Sequence, residues 1–294
     1  MIRYPVRPAE LRKRIDADSP RFLEEAEKRT AVFKRLKRYE EKASAWGDIK
    51  GVYMALQYNK CAYCERRLAG PRYGKVEHDI EHFRPKRNVR AWPTRKIALA
   101  RGINYGFRTG NVWREGYYLL AYHLENYATA CKTCNSALKG SAFPIAGKRG
   151  PQRESPRQLK SEKPFLIYPI GSLDSDPEQL ITFEGILPKP VARPGTHAFK
   201  RATVTIDFFE LDTREELLRE RTEQIRALWL TLGALETERD PKKRRELEHG
   251  VELLESLHSP HTNCVRSFHR LYKANPARAR ELYEELKRYL EPQI

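Results

Sequence analysis

The spacing of hydrophobic residues predicts a helical arm at the start of the chain. Between residues 20 and 45, apolar side chains recur three or four positions apart, as in an amphipathic helix: Phe22, Ala26, Ala31, Phe33, Leu36 and Tyr39. Ser19 is placed to cap this helix, and Pro20 suits its first turn. A shorter apolar segment covers residues 49–58. We therefore expect residues 1–47 to form an N-terminal helical arm.

The pattern in residues 151–294 predicts a mostly helical C-terminal region. A helix from 214 to about 238 has one apolar face, and Thr213 with Glu216 matches a capping box at its start. Pro241 is expected to open a second helix, and Asn275 to cap a third. Ahead of them, residues 145–163 have the composition of a linker, and residues 165–168 and 181–183 predict short strands.

The middle of the chain, residues 48–150, has a weaker periodicity. Residues 61–83 predict a short hairpin, and residues 117–127 and a segment beginning near Asn135 predict helices. Residues 84–116 are rich in Arg and Gly without a clear period, which indicates a long loop with an insertion at 88–116. The whole pattern predicts a mixed α+β protein with helical regions on both sides of a small central domain.

Charge adds a candidate partner to this picture. The chain carries 56 Lys and Arg against 39 Asp and Glu, and much of the excess lies between residues 84 and 149. That stretch holds thirteen basic residues and two acidic ones, a net charge of +11, together with the aromatic residues Trp92, Tyr105, Phe107, Trp113 and Tyr117. Such a mixture favours contact with nucleic acid, although an acidic protein partner or a solvated surface has the same composition.

The sequence also bears on location. No apolar run approaches the roughly 20 residues that span a bilayer. The first residues are charged and lack the continuous apolar stretch of a secretory signal. We therefore expect a cytoplasmic protein without a membrane partner.

Four of the five cysteines form two Cys-x-x-Cys pairs, Cys61/Cys64 and Cys131/Cys134. In a cytosolic chain two such pairs predict one structural zinc site, with redox dithiols as the alternative. Closing a loop of about 66 rather than about 17 residues costs only about 1.2 kcal/mol more. Zinc binding in small finger peptides supplies on the order of 10–16 kcal/mol, so the separation does not oppose the site. Cys264 stands alone and is expected to be a packed side chain.

Between the two pairs lies the segment Glu81-His82-Phe83-Arg84-Pro85-Lys86. Phosphodiester hydrolysis needs a base for the attacking water and positive charge at the phosphate. A histidine titrates in the range that suits the base, and a carboxylate with an amide oxygen suits Mg²⁺. Asn126 and Asn135 flank the second cysteine pair and could provide the amide.

These residues resemble the HNH nuclease family, whose core is a hairpin and a helix around one metal. The similarity rests on the segments Cys61-Ala62-Tyr63-Cys64, Ile80-Glu81-His82-Phe83-Arg84-Pro85-Lys86, Asn126-Tyr127-Ala128-Thr129-Ala130-Cys131 and Cys131-Lys132-Thr133-Cys134-Asn135, and on Lys139-Gly140. More narrowly, it resembles the HNH proteins of Septu-type and retron-associated antiphage systems, which act with an ATPase partner. The resemblance covers roughly residues 47–145 and implies a zinc-stabilised ββα-metal core within residues 48–150.

The resemblance also implies residue roles. His82 would be the general base, Glu81 and Asn135 the ligands of a catalytic Mg²⁺ or Mn²⁺, and Asn126 would hold the loop that orients His82. Cys61, Cys64, Cys131 and Cys134 would bind zinc. Arg84, Lys86, Arg87 and Lys139 would contact nucleic acid. The family reaction leaves 5′-phosphate and 3′-hydroxyl ends. Many HNH proteins have a further histidine ligand where this chain has Lys139, and the insertion is longer than in a minimal core.

Plainer roles exist for the same residues. His82 could be structural, could ligate another metal together with His78, or could yield the role of base to His78. Asn126 could merely cap a helix, and Arg84 and Lys86 could be solvated charges. For the whole protein we expect a DNA endonuclease of an antiphage system with an ATPase partner. The alternatives are a ribonuclease, including one that cleaves tRNA, and a zinc-stabilised nucleic-acid-binding module without catalysis.

Overall fold

The computed structural model describes residues 1–70 and 72–289, so the last five residues of the predicted C-terminal region lie outside it. The described chain combines α-helices with two small sheets. The helices are α1 (Pro8–Asp18), α2 (Phe22–Leu36), α3 (Lys50–Leu56), α4 (Gly74–Glu77), α5 (Arg95–Arg101), α6 (His197–Phe208), α7 (Glu215–Thr237), α8 (Pro241–Glu255), α9 (Thr262–Ala274) and α10 (Pro276–Leu286). The strands are β1 (His78–His82), β2 (Tyr127–Cys131), β3 (Ile181–Glu184) and β4 (Leu187–Pro190), and a π-helix covers Thr133–Lys139. Short 3₁₀ helices lie at Trp46–Ile49, Tyr118–Leu120, Leu124–Asn126, Pro156–Glu162, Pro177–Gln179 and Lys287–Tyr289.

The N-terminal arm differs in part from its prediction. The helix expected over residues 20–45 ends at Leu36, where Lys37 turns into the left-handed region with φ of 54°. Ser19 does not cap it, because the helix follows Arg21 and the Ser19 hydroxyl donates to the carbonyl of Asp48. The preceding helix α1 was not predicted, although its buried residues Leu11 and Ile15 have helical spacing. Helix α3 lies within the apolar segment at 49–58.

The arm packs into the same hydrophobic core as the rest of the described chain. The ring of Phe33 lies 6.2 Å from that of Tyr122, and the guanidinium of Arg29 donates to the Tyr122 hydroxyl at 3.1 Å. Arg29 also pairs with Glu41 at 2.7 Å. At the end of the arm, the ring of Trp46 lies 4.7 Å from the ring of His82 in β1.

The sheet formed by β1 and β2, called the central sheet below, shows that the hairpin predicted within residues 61–83 is wrong. Strand β1 pairs instead with the distant strand β2, antiparallel, with His78 opposite Cys131 and His82 opposite Tyr127. The second edge of β2 is held by Gln57 at the end of α3, whose side chain donates to the carbonyl of Thr129 at 2.8 Å and accepts from its amide at 2.7 Å. A strand pair separated by so much sequence leaves no local turn signal, so the pattern could not reveal it.

The region before the C-terminal helices is more closely packed than a linker. Residues 145–163 include a 3₁₀ helix that ends in Glu162, which is fully buried. Residues 165–168 are buried but are not a strand, whereas the strand predicted at 181–183 is confirmed as β3, paired with β4. The insertion at 88–116 is largely irregular, as predicted, apart from α5.

Most of the predicted C-terminal helices are confirmed. Helix α7 covers the expected residues, but its capping box is wrong, since it starts after Arg214 without a side-chain cap. Pro241 opens α8, and Asn275 caps α10 by accepting from the amide of Arg278 at 3.1 Å. Helices α6 and α9 were not predicted. Across the described residues we find no helix with the length and apolar character to cross a membrane.

Candidate active site and metal centre

The two cysteine pairs come together at one end of the central sheet. The sulfur atoms of Cys61, Cys64, Cys131 and Cys134 all lie within 4.8 Å of one another, and all four residues are buried. The Sγ atoms of Cys64 and Cys131 are 3.9 Å apart. Four ligands at the usual zinc–sulfur distance of about 2.3 Å in a tetrahedron have sulfurs about 3.8 Å apart. The predicted convergence is therefore confirmed, and the cluster could hold a metal ion such as zinc.

Three of the clustered thiols differ in how readily they ionise. Hydrogen bonds from the thiols of Cys134, Cys61 and Cys64 lower the pKa of Cys131, which favours the thiolate that a metal requires, whereas burial raises the pKa of Cys64 and of Cys134. Arg214, buried just before α7, donates from Nη1 to the Cys134 sulfur at 3.3 Å. Burial opposes its charge, but electrostatic attraction to Cys134 and Cys64 outweighs this effect and raises the pKa of Arg214. Sequence reasoning missed Arg214, for which no local pattern exists.

His82 is the last residue of β1 and is buried. Its Nε2 lies 3.0 Å from the carbonyl oxygen of Ala121. Because a carbonyl can only accept, Nε2 must carry the proton, and Nδ1 of the neutral ring keeps its lone pair. Burial and the nearby charge of Lys86 hold the pKa of His82 well below its usual value. The side chain is therefore a neutral base with a fixed tautomer.

Asn126 connects the segment that follows β1 with the segment that orients His82. Its Oδ1 accepts from the amide of Arg84 at 2.8 Å, and its Nδ2 donates to the carbonyls of Arg84 and Leu120, both at 3.0 Å. Ala121, whose carbonyl holds His82, is the neighbour of Leu120. The fully buried Asn126 thus fixes two backbone segments, at Arg84 and at Leu120, around the imidazole.

The face of β1 opposite to the His82 side chain carries two carboxylates. Alternation along the strand places Asp79 and Glu81 on this face, against the π-helix. Asn135 donates from Nδ2 to Asp79 at 3.1 Å rather than contacting Glu81. Glu81 forms a buried ion pair with Lys139, whose ammonium also donates to the carbonyl of His82 at 2.9 Å. Burial raises the pKa of Glu81 despite the attraction of Lys139.

Carboxylate and amide oxygens are the ligands that Mg²⁺ prefers, so the chemistry of Asp79, Glu81 and Asn135 suits such an ion. Asp79 was missed in the sequence, although its position two residues before Glu81 in a strand could have indicated it. The ammonium of Lys139 already neutralises Glu81. Apart from the cysteine cluster, the described residues contain no group of three or more His, Cys, Asp or Glu close enough to hold a metal.

The predicted nucleic-acid contacts fall into two classes. Lys139 is fully buried, and Arg84 is buried in an ion pair with Glu162 at 3.2 Å. Both cations balance interior carboxylates, so neither is accessible to a nucleic acid, and we correct their assignment. Lys86 is half-buried and Arg87 is exposed. Trp92 and Tyr117 of the basic stretch between residues 84 and 149 are also core residues, which the periodicity alone could not distinguish from surface aromatics.

Comparison with known proteins gives one informative similarity. The chain is 29% identical over 170 residues to the Septu protein PtuB of Bacillus mycoides (strain KBAB4), an alignment that covers 58% of this chain and 50% of that protein. The match therefore spans about half the length of that relative. No family model matches the chain. No solved structure matches it.

Proposed function

We propose that this protein is a metal-dependent nuclease of the HNH type that hydrolyses phosphodiester bonds in DNA. The observation that carries the proposal is the hydrogen bond from His82 to Ala121, which leaves Nδ1 as a base at the end of the strand that also bears Glu81. The order of β1, β2 and the π-helix with Asn135 supports the proposal, because a ββα-metal core has two strands followed by a helix. The cysteine cluster would hold a structural zinc ion that joins the strand pair to the loop at Cys61 and Cys64.

In the proposed reaction, Nδ1 of His82 removes a proton from the attacking water, and the oxygen of that water forms the new bond to phosphorus. The bond to the 3′-oxygen breaks, which leaves a 5′-phosphate and a 3′-hydroxyl end. Asn126 keeps the imidazole oriented through Leu120 and Ala121. Asp79, Glu81 and Asn135 would hold Mg²⁺ or Mn²⁺, which supplies positive charge to the phosphate and to the leaving oxygen. Lys139 sets the position of Glu81.

We further propose that the nuclease serves antiphage defence together with an ATPase partner. Support comes from the similarity to the Septu protein PtuB and from the Septu-like motifs between residues 61 and 140. An ATPase or reverse transcriptase gene beside the gene for this chain would strengthen this proposal. An isolated gene in most genomes that carry it would contradict the defence role but not the nuclease chemistry.

The nuclease proposal is tested by incubating the zinc-loaded protein with plasmid DNA, with Mg²⁺, with Mn²⁺ and with neither. We expect cleavage only with a divalent ion, and loss of cleavage in Glu81→Gln. Asp16→Asn is a matched control that removes an exposed carboxylate from helix α1. The proposed site binds the phosphate, which DNA and RNA share, so its geometry does not distinguish the two. Parallel incubation with RNA therefore determines the substrate. Equal cleavage by wild type and Glu81→Gln would contradict the proposed metal site.

A further inference from the structure

The N-terminal arm places two aromatic rings beside the candidate active site. The ring of Trp46 lies 4.7 Å from the ring of His82, nearly perpendicular to it. Tyr39 lies 6.2 Å from Trp46. Both aromatic residues are half-buried, so each keeps part of its surface exposed at the edge of the site.

Two cations lie on these rings. The ammonium of Lys86 is 4.3 Å from the ring centroid of Trp46 and 5.5 Å from that of Tyr39. The guanidinium of Arg87 is 4.9 Å from the ring of Tyr39. Attraction between a cation and an aromatic face contributes about 0.5–2 kcal/mol, so the rings restrict where both charges can lie.

These two cations differ from their neighbours because they have no acidic partner. Arg29, Arg84, Lys132 and Lys139 each form an ion pair with a carboxylate. Over residues 1–70 and 72–289, Lys86 and Arg87 have no hydrogen bond or ion pair, only ring contacts.

The two carboxylates that attract Lys86, those of Glu81 and Glu41, are each paired with another cation. The carboxylate of Glu41 is engaged by Arg29 and by the hydroxyls of Tyr39 and Tyr122. Glu81 attracts Lys86, but it is paired with Lys139. Burial of the ammonium lowers the pKa of Lys86 to about 8. A cation that has lost hydration without gaining a counter-charge is stabilised by an anion that enters the site.

We infer that Lys86 and Arg87, held by Trp46 and Tyr39, bind a backbone phosphate of the nucleic-acid strand at His82. This inference rests on the proposed function, since it names the subsite that holds the strand for cleavage. Trp46 and Tyr39 are then positioning residues, and the N-terminal arm is part of the substrate site. The surface that binds the strand thus includes the arm, whereas Trp92 of the basic insertion is buried in the core.

Binding without cleavage tests the subsite. Fluorescence anisotropy would measure the affinity of the zinc-loaded full chain for a labelled 20-nucleotide single strand and its duplex, over a range of salt and without Mg²⁺ or Mn²⁺. We expect Lys86→Met to weaken binding by roughly tenfold. Losing one phosphate contact should also reduce the slope of log K against log salt by about 0.7 for the single strand or about 0.9 for the duplex. The matched control is Lys200→Met, because the Lys200 ammonium also lies on a ring, 5.0 Å from that of Phe107.

The role of Trp46 is tested through Lys86. If Trp46 acts by positioning the ammonium, the double variant Trp46→Leu/Lys86→Met binds no more weakly than Lys86→Met alone, and Trp46→Phe keeps most of the affinity. Unchanged affinity and salt slope in Lys86→Met overturn the subsite, as does a wild-type chain that binds neither probe. Weakened binding with no cleavage by wild type after Mg²⁺ is added would support the subsite and count against the nuclease. Cleavage by wild type together with normal binding by Lys86→Met would support the nuclease and count against the subsite.

Discussion

The ammonium of Lys139 forms a buried ion pair with the carboxylate of Glu81 and also donates to the carbonyl of His82. One side chain of the π-helix therefore holds two consecutive residues of β1. Lys139 thus fixes the position of Glu81 and supplies the counter-charge of its buried carboxylate.

Removing this lysine should destabilise the fold. In Lys139→Met the buried Glu81 carboxylate loses its counter-charge, and breaking one side of a buried pair costs about 3–5 kcal/mol. Urea unfolding would measure the loss, with Lys132→Met as the matched control because its partner Asp79 is paired at the surface. Equal, small losses in the two variants would show that Glu81 does not depend on Lys139.

Adding Glu81→Gln to Lys139→Met tests the same pair from the other side. The double variant has no buried charge to compensate, so it should recover part of the stability lost in Lys139→Met. A double variant less stable than Lys139→Met alone would contradict this explanation.

Stability should fall as the solution becomes acidic. The pKa of His82 is lowered by burial, so the unfolded chain binds a proton near pH 6.5 that the folded chain does not bind. Unfolding then takes up a proton, and the free energy of unfolding decreases as pH falls below about 6.5, by at most about 1.4 kcal/mol per pH unit for this residue. Unfolding curves between pH 8 and 5 would show a steeper decrease for wild type than for His82→Gln. Identical slopes would mean that His82 is accessible to protons in the folded state.

Zinc binding should depend on the cluster and not on the fifth cysteine. Cys134→Ser should lose stoichiometric zinc and should unfold at lower urea, because the metal contributes folding free energy. Cys264→Ser is the matched control. Cys264 is equally buried, and burial raises its pKa to about 12, but it lies outside the cluster. Metal analysis of the purified variants would decide, and full zinc content in Cys134→Ser would contradict the four-sulfur site.

Asn126 should matter for cleavage more than for substrate binding. Asn126→Ala leaves three buried backbone groups without partners and should cost on the order of 1–3 kcal/mol for each group that water cannot reach. At a temperature where the variant remains folded, we expect slower cleavage with unchanged affinity for DNA, since Asn126 orients His82 without facing the strand. Weakened affinity with normal cleavage would assign it another role.

Sequence alone could predict the parts of this molecule whose signals are local. The Cys-x-x-Cys spacing predicted the cluster, and the apolar face of α7 predicted that helix. Pairing between β1 and β2 joins residues far apart in the chain, so its register left no local signal. Burial of Arg84 and Lys139 could not be read from their type, because a charged residue looks exposed until its partner is known. The contact of Trp46 with His82 likewise depends on how the arm folds back.

The proposed function depends on Nδ1 of His82 as the base that hydrolyses the phosphodiester bond. Single-turnover cleavage of a labelled duplex with Mg²⁺ tests it most directly, comparing wild type, His82→Ala and His197→Ala, which removes an exposed histidine on α6. Loss of a general base is expected to slow cleavage by about 10²–10⁴-fold in His82→Ala, while His197→Ala cleaves like wild type and leaves the same 5′-phosphate ends. Equal rates for His82→Ala and wild type, with zinc content and fold preserved, would contradict the account.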